Sequence, residues 1–230
     1  ITSPNTTSVS TMMASGQSSG GWLSSRMRAS DLRFNFLAAS GIGNLRRYKI
    51  ARAGRIGTGC LLGNQDTIYT GREGTRLLFT DCYIEGTTDF IFGPATALFE
   101  RCTIHSKRNS YITAASTPEN VEFGYVFKNC KLTAAPGVTK VYLGRPWRPY
   151  ASTTFLNCEF GSHIRPEGWD NWRNKENEKT ARYAEFGNTG EGAATAGRVK
   201  WAKQLTSKEA LRYTIENIFT DSSNWYPYKR

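Results

Sequence analysis

The stretch of sequence that decides the fold is Phe79-Thr80-Asp81-Cys82, because its pattern of phenylalanine and cysteine returns three more times. The other copies are Phe99-Glu100-Arg101-Cys102, Phe127-Lys128-Asn129-Cys130 and Phe155-Leu156-Asn157-Cys158. An apolar residue stands two positions after each cysteine, so polar and apolar residues alternate as they do in a strand with one buried face. Each copy therefore predicts one short strand.

The spacing of the five cysteines predicts how these strands are arranged. They stand at positions 60, 82, 102, 130 and 158, at intervals of 22, 20, 28 and 28 residues. A period of this size built around one strand is typical of a solenoid, in which each repeat stacks on the next. Free cysteine packs well in such a stack as a small apolar residue, and the leucine ladder of a leucine-rich repeat is missing. We therefore expect an all-β fold, a β-helix.

Cys60 is the weakest copy of the pattern. Gly57 stands where the phenylalanine should be, and Leu62 takes the apolar position after the cysteine. An odd number of cysteines argues against a fully paired disulfide framework. Chance spacing is the alternative interpretation, which the phenylalanine before four of the five cysteines disfavours.

Both ends of the chain lie outside the repeat. Residues 1–21 are rich in serine, threonine and glycine, which predicts a loop, and no signal peptide is visible in them. Near the other end, Thr206-Ser207-Lys208-Glu209 has the pattern of a capping box ahead of Ala210, Leu211, Thr214, Ile215 and Ile218. This pattern predicts one short amphipathic helix over about residues 207–218, with its apolar stripe packed on the main body.

Length and charge bound the class of protein. The 230 residues suit one domain, 1–230, and no apolar run approaches the roughly 18 residues of a membrane-spanning helix. The 30 lysines and arginines exceed the 19 acidic residues, which gives a net charge of +11. That charge indicates an anionic partner, such as nucleic acid, a membrane surface or an acidic polymer, or a surface that is merely basic.

Two aspartates take similar places in successive repeats. Asp66 lies six residues after Cys60, and Asp89 lies seven residues after Cys82. Since equivalent positions on adjacent coils lie about 4.8 Å apart, the two carboxyl groups should be close neighbours. Two such groups cannot both ionise easily, so one is expected to act as an acid and the other as a base or nucleophile.

A cation near this pair would decide which aspartate stays ionised. Arg145 is the candidate, because it follows the apolar strand Val141-Tyr142-Leu143 and precedes a proline. Its guanidinium could hold one carboxylate in a bidentate pair. An ion pair at the surface is the alternative interpretation for this arginine.

Three blocks of sequence resemble, in order and spacing, signature blocks of the pectin methylesterases (pectinesterases). They are Gly63-Asn64-Gln65-Asp66-Thr67-Ile68-Tyr69, Gly86-Thr87-Thr88-Asp89-Phe90-Ile91-Phe92-Gly93 and Leu143-Gly144-Arg145-Pro146-Trp147. The segment Gly168-Trp169-Asp170-Asn171-Trp172 is similar to the C-terminal region of that family, so the resemblance covers about residues 60–220. It implies a right-handed parallel β-helix, and hydrolysis of the methyl ester on C6 of galacturonate units in pectin.

The resemblance also implies a role for individual residues. Asp89 matches the nucleophile and Asp66 the general acid that later serves as a base. Gln65 matches an amide that stabilises the oxyanion, and Arg145 matches the residue that pairs with the nucleophile. The residues that match substrate contacts are Trp147, Phe92, Trp169 and Thr88. For Phe92 and Trp169, packing in the core is the alternative interpretation.

One block departs from the family pattern. The family carries a second oxyanion glutamine upstream, and the nearest amide in this chain is Asn44. The block over 44–59 is a diverged coil, a cloning or reading-frame artefact, or a misassigned stretch of sequence. The resemblance also implies that one or more coils that the family has before residues 22–40 are lacking.

The implied protein has no metal or organic cofactor, and His105 and His163 are too scattered to suggest a metal site. Its partner is pectin, methylated homogalacturonan, which fits the positive charge, with no nucleic acid or membrane partner. We expect a monomer that is secreted and acts in the cell wall. Two alternatives stay open: a β-helix glycosidase, since two close carboxyl groups also suit that chemistry, and a non-catalytic pectin-binding protein.

Overall fold

The computed structural model describes residues 22–23, 37–40, 47–50, 54–220 and 227. The expected loop over 1–21 and the residue Asn44 lie outside the described residues. Within these ranges no helix is long and apolar enough to cross a membrane.

Short strands dominate the described chain. In order they are β1 (Trp22–Leu23), β2 (Leu37–Ser40), β3 (Arg47–Ile50), β4 (Gly54–Gly57), β5 (Cys60–Leu62), β6 (Ile68–Tyr69), β7 (Arg76–Thr80), β8 (Tyr83–Gly86), β9 (Ile91–Gly93), β10 (Thr96–Glu100), β11 (Thr103–Ser106), β12 (Tyr111–Ala115), β13 (Tyr125–Lys128), β14 (Lys131–Ala134), β15 (Tyr142–Pro146), β16 (Ser152–Leu156), β17 (Glu159–Phe160), β18 (Arg182–Phe186) and β19 (Lys203–Gln204). The helices are α1 (Asn177–Thr180), α2 (Ser207–Ala210) and α3 (Ile215–Phe219), with a 3₁₀ turn at Glu191–Ala193.

The strands form three sheets that run along the solenoid. The first sheet has the order β1-β2-β3-β6-β9-β12-β15, the second β19-β18-β16-β13-β10-β7-β4 and the third β17-β14-β11-β8-β5. From β3 onward every pair of neighbouring strands is parallel, and each coil between β3 and β17 contributes one strand to each sheet. The predicted parallel β-helix is confirmed.

The phenylalanine and cysteine of the repeat form the interior ladders. The rings of Phe79, Phe99, Phe127 and Phe155 stack in order, with centroids 4.6, 4.5 and 4.4 Å apart. All four rings are fully buried, and so are the cysteines of the same four copies. Identical rings at one strand spacing pack face to face, which buries a large apolar area on every coil.

The Cys60 copy is shifted by one residue from its expected place. Ile56, not Gly57, pairs with Phe79, and Leu61, not Leu62, pairs with Ile84. Cys60 is therefore exposed. Gly59 occupies the position that an interior cysteine takes in the other copies. The interpretation of Cys60 as an interior marker was wrong, because the ladder selects the register in which buried Ile56 and Leu61 fill the apolar positions.

A left-handed residue turns the chain before each interior cysteine. Asp81, Arg101, Asn129 and Asn157 have φ between 52° and 55°. Asparagine and aspartate tolerate this conformation better than most residues. Arg101 is the exception, and its guanidinium makes two hydrogen bonds of 2.9 Å to Asp81 on the preceding coil.

The C-terminal region contains two short helices where one was predicted. The capping box of Thr206 and Glu209 is present and starts α2. The chain then breaks, and the Thr214 side chain accepts a hydrogen bond from the Asn217 N–H to cap α3. Leu211, expected on the buried stripe, is 76% exposed, because the predicted helix does not continue through it. Ile218 and Phe219 cover the outer face of the second sheet, packing on Leu78, Leu98, Val126 and Leu156.

Candidate active site

Asp66 and Asp89 stand at the same position on two successive coils of the first sheet. The strands that follow them are paired in register, with Ile68 opposite Ile91 and Tyr69 opposite Phe92. Both aspartates therefore precede their strands by two residues and lie about one strand spacing, ~4.8 Å, apart. In the observed register Gly59, not Cys60, is equivalent to Cys82. Asp66 follows Gly59 by seven residues, just as Asp89 follows Cys82, so the two aspartates are not offset by one residue.

The backbone holds each aspartate in a left-handed turn. Asp66 has φ 55° and Asp89 has φ 48°. The N–H of Asp66 donates to the Thr88 carbonyl at 3.0 Å, and the N–H of Asp89 donates to the Tyr111 carbonyl at 2.9 Å. The turn before β6 is also tied by the Thr67 hydroxyl, which donates to the Asn64 carbonyl at 2.8 Å. These bonds link the site to three consecutive coils.

Arg145 makes the bidentate pair that its position predicted. Its Nε donates to Asp89 Oδ1 at 3.0 Å, and its Nη2 donates to Oδ2 at 2.6 Å. The Asp89 side chain is 9% exposed and that of Arg145 is 20% exposed, so the pair is largely shielded from water. A shielded bidentate pair is stronger and more rigid than an ion pair at the surface.

Two aromatic rings cover the guanidinium of Arg145. Its central carbon lies 3.9 Å from the ring centroid of Tyr111 and 3.7 Å from that of Trp172. The sequence interpretation missed both residues. The repeat contained a signal for Tyr111, which follows Asp89 by one coil, and Trp172 is the second tryptophan of the Gly168–Trp172 block.

Burial raises the pKa of Asp89 above its ordinary value, and the paired guanidinium of Arg145 limits the rise. The nearby carboxylate of Asp170 adds a smaller upward effect. Both carboxylate oxygens of Asp89 accept hydrogen bonds from Arg145, as suits the ionised form. The result is a fixed carboxylate with little water around it, which makes it more basic than an exposed aspartate.

Aromatic side chains stand beside the aspartates on the outer face of the first sheet. The rings of Tyr69 and Phe92 lie 5.1 Å apart, and those of Phe92 and Trp147 meet edge to face at 5.9 Å. The guanidinium of Arg148 lies 5.1 Å from the Trp147 ring. All of these rings are partly exposed, so they offer apolar faces next to the carboxylates.

The two remaining polar candidates flank the aspartates. Gln65 is exposed and directly precedes Asp66. Thr88 directly precedes Asp89, and its hydroxyl shares a hydrogen bond of 2.8 Å with the hydroxyl of Ser110 on the next coil. The structure brings both residues to the aspartate pair.

Trp169 does not line this surface, contrary to its expected place. It is 1% exposed and stacks on Tyr183 with centroids 4.3 Å apart. Its indole N–H donates to Glu185 Oε1 at 3.1 Å, and Glu185 is itself paired with buried Arg198. The buried acceptor holds Trp169 inside the coil, so the core-packing alternative is correct for this residue.

A cavity of about 460 Å³ lies elsewhere, on the outer side of the second sheet near the C-terminal helices. Two of its cations are already paired, Lys203 with Glu209 and Arg212 with Glu122. The aspartates instead face an open surface, which suits a polymeric ligand better than an enclosed cavity does. Among the described residues, no cluster of three His, Cys, Asp or Glu side chains could hold a metal ion.

These features define a class of protein: parallel β-helix proteins with a carboxylate pair and a fixed arginine on one outer sheet. Comparison with known proteins identifies the family within that class. The Pectinesterase family model matches residues 56–222, and the chain belongs to the pectinesterase family. Pectinesterase 31 of Arabidopsis thaliana is 40% identical over 168 residues, which are 73% of this chain and 52% of that protein.

Solved structures lead to the same family. Pectin methylesterase from carrot superposes with a TM-score of 0.65 at 34% identity, over 69% of this chain and 54% of that one. A pectin methylesterase in complex with a hexasaccharide gives a TM-score of 0.64 at 28% identity, over 78% of this chain and 59% of that one. This chain thus spans about half the length of the relatives that it matches.

Proposed function

We propose that this chain is a pectin methylesterase, which hydrolyses C6 methyl esters of galacturonate units in pectin to give methanol and free carboxylates. The observation that carries the proposal is the pairing of Asp89 with Arg145 beside Asp66 on the adjacent coil. Membership of the pectinesterase family supports the substrate class, as does the relative whose structure contains a hexasaccharide.

In the first step, Asp89 acts as the nucleophile. Arg145 keeps it ionised and oriented, and partial burial removes the water that would weaken its attack on the ester carbonyl. A bond forms between a carboxylate oxygen and the ester carbon, giving a tetrahedral oxyanion. Its collapse expels methoxide and leaves an anhydride between the enzyme and galacturonate. The reaction is thus divided into two easier displacements.

Asp66 transfers the protons in both steps. It gives its proton to the departing methoxide, which leaves as methanol, and then takes a proton from the water that attacks the anhydride. The water oxygen enters the new carboxylate of the product, and Asp89 is regenerated. One strand spacing between the aspartates suits this exchange, because acid and nucleophile must reach the same ester.

Gln65 supplies a hydrogen bond to the oxyanion, which is where a donor contributes most to the rate. Trp147 and Phe92 offer ring faces to the sugar units, and Thr88 lies next to the nucleophile. Asn44 stands in for the second oxyanion amide. If it does not donate, turnover should be lower by about 10²–10³.

The proposed protein works outside the cell as a monomer, on the pectin of the wall. Plant relatives named pectinesterases support this location. The net charge of +11 supports binding to a polymer that gains a negative charge with every ester removed.

The experiment that tests the proposal is incubation of the folded chain with highly methylated pectin. We expect methanol and acid to appear in equal amounts, without new reducing ends. Reducing ends without methanol would identify a glycosidase, which the aspartate spacing also permits. Retention on a pectin column without either product would identify a binding protein, and both of those results would overturn the esterase.

A further inference from the structure

The guanidinium of Arg145 is enclosed between two rings that come from different parts of the chain. Tyr111 lies on β12, and Trp172 lies in the loop between β17 and α1. Asp89 binds one edge of the guanidinium. The two ring centroids lie within 3.9 Å of its central carbon, so the rings pack against its two faces. Ring faces attract a cation at this distance.

We propose that Tyr111 and Trp172 are positioning residues, which set the plane of the Arg145 guanidinium so that its edge stays aligned with Asp89. The proposal rests on the proposed function for its effect on catalysis, but the alignment itself is a property of the fold. An arginine side chain has several rotatable bonds, and a guanidinium held on both faces keeps little freedom except within its own plane.

Tyr111 is fixed without any help from a ligand. It pairs in register with Tyr142 on β15, and the two rings stack with centroids 5.3 Å apart and planes 10° apart. The guanidinium of Arg165 covers the Tyr142 ring in turn, 4.7 Å from its centroid. The Tyr111 ring thus belongs to a continuous stack that also contains the Tyr142 ring and the Arg165 guanidinium.

Trp172 is fixed by its own loop. Its N–H donates to Asp170 Oδ1 at 2.7 Å, and the Asp170 N–H donates to the Gly144 carbonyl, next to Arg145, at 3.1 Å. These bonds tie the tryptophan to the strand that carries the arginine.

A buried ion pair anchors the start of the same loop. Arg198 pairs with Glu185, both at most 3% exposed, and donates to the carbonyls of Arg165 and Pro166. Glu185 also accepts the Trp169 indole N–H. With Trp169 held inside, Trp172 is the tryptophan of the loop that reaches Arg145. A buried pair with every donor satisfied makes such an anchor rigid.

The consequence falls on Asp89. The charged or titratable groups around it are Arg145, Asp170, Tyr183 and, on the adjacent coil, Asp66. Arg145 is the cation in this set, and it opposes the effect of burial. A loosened guanidinium would therefore let the pKa of Asp89 rise and would leave less of the nucleophile ionised.

The experiment is a pH titration of Asp89 in the whole chain, followed by NMR of carbon-13 in the aspartate carboxyl groups, with the signal assigned through Asp89→Asn. The test variants are Trp172→Leu and Tyr111→Leu, which remove a ring and keep apolar volume. The conservative variants are Trp172→Phe and Tyr111→Phe, which keep a ring. Tyr83→Leu is the matched control, because Tyr83 is also a half-buried tyrosine on a strand, stacked on His105 with centroids 5.8 Å apart.

We expect the pKa of Asp89 to rise by about one unit in both leucine variants. The phenylalanine variants and Tyr83→Leu should keep the wild-type value. Methanol release by the same samples should show an acid limb moved by about one unit to higher pH, with kcat about tenfold lower on that limb and little change in KM. A wild-type titration in both leucine variants, or an effect on KM alone, would overturn the positioning role. Wild-type protein that releases no methanol would contradict the proposed function, while the titration would still decide the alignment.

Discussion

Two columns of side chains run along the same coils and differ in what they repeat. The inner column contains one residue type, with Phe79, Phe99, Phe127 and Phe155 stacked 4.4 to 4.6 Å apart. The outer column, read along the first sheet, contains Asp66, Asp89, Tyr111 and Tyr142 at equivalent positions. The residue that recurs on every coil stabilises the solenoid, and the residues that differ between coils form the candidate site.

The physical reason lies in the surroundings of each column. A ring inside the coil is covered on all sides, so the same shape must recur for the stack to close without voids. An outward side chain is less enclosed, with its nearest equivalents above and below at about 4.8 Å, so the residue type can differ from coil to coil. The outer column can thus place two carboxyl groups and two rings in a row without disturbing the fold.

The largest effect should come from the outer column. Asp89→Asn removes the charge of the proposed nucleophile, and we expect turnover to fall by at least about 10³-fold. The free energy of unfolding should change by no more than about 1 kcal/mol, because the shape is kept. Methanol release and urea denaturation measure the two quantities. Asp81→Asn, at an exposed pair, is the control that should keep full activity. Wild-type turnover by Asp89→Asn would remove this residue from the mechanism.

The inner column should respond in the opposite way. Phe127→Ala leaves a cavity between two stacked rings, and we expect a loss of about 3–5 kcal/mol in the free energy of unfolding. Tyr142→Ala, on the outer column, should cost only about 1 kcal/mol because its ring is partly exposed. Urea denaturation of both variants tests the comparison. Equal losses would mean that the two columns carry the same share of the stability.

A buried histidine predicts how stability depends on pH. His163 is 4% exposed, and burial, with a smaller effect of His105, lowers its pKa to about 4. The unfolded chain binds a proton at this residue below about pH 6.5 and the folded chain does not, so stability is complete above about 6.5. It should fall by about 3 kcal/mol between pH 6.5 and 4.

His163→Gln provides the comparison for this pH effect, since glutamine does not titrate. Its unfolding free energy, measured by urea denaturation at several pH values, should change less across the same range. Parallel pH curves for the two proteins would show that His163 does not contribute.

The smallest effect concerns the cysteines. Hydrogen bonds between neighbouring thiols, and then burial, raise the pKa of Cys82 and Cys102, and burial raises the pKa of Cys130, so these thiols should react slowly. Cys60 is exposed because the coil register is shifted there. A thiol reagent added to the native protein should label one equivalent quickly, at Cys60. Rapid labelling of all five would contradict the stacked register.

The architecture was predictable because a solenoid repeats in one dimension. The F-x-x-C spacing alone indicated stacked coils, and the register of Asp66 with Asp89 followed from it. The error at Cys60 arose from matching a residue type instead of a register, since Ile56 can fill a phenylalanine position.

The errors near the C-terminus have a different origin. The helical pattern over 207–218 shows which residues are apolar, but not that the exposed Leu211 would have nothing to pack against. The two tryptophans of the Gly168–Trp172 block look alike in sequence. Only the distant Glu185 and Arg198 decide that Trp169 is buried and Trp172 reaches Arg145.

The central claim is that Asp66 and Asp89, at equivalent positions in the outer column, have different roles, and that Asp89 is the nucleophile. Hydroxylamine added during turnover of methylated pectin would trap the anhydride, and mass spectrometry of peptides would locate the hydroxamate. The account predicts a hydroxamate on Asp89, none on Asp66, and no label in Asp89→Asn. A hydroxamate on Asp66, or a label that persists in Asp89→Asn, would contradict it.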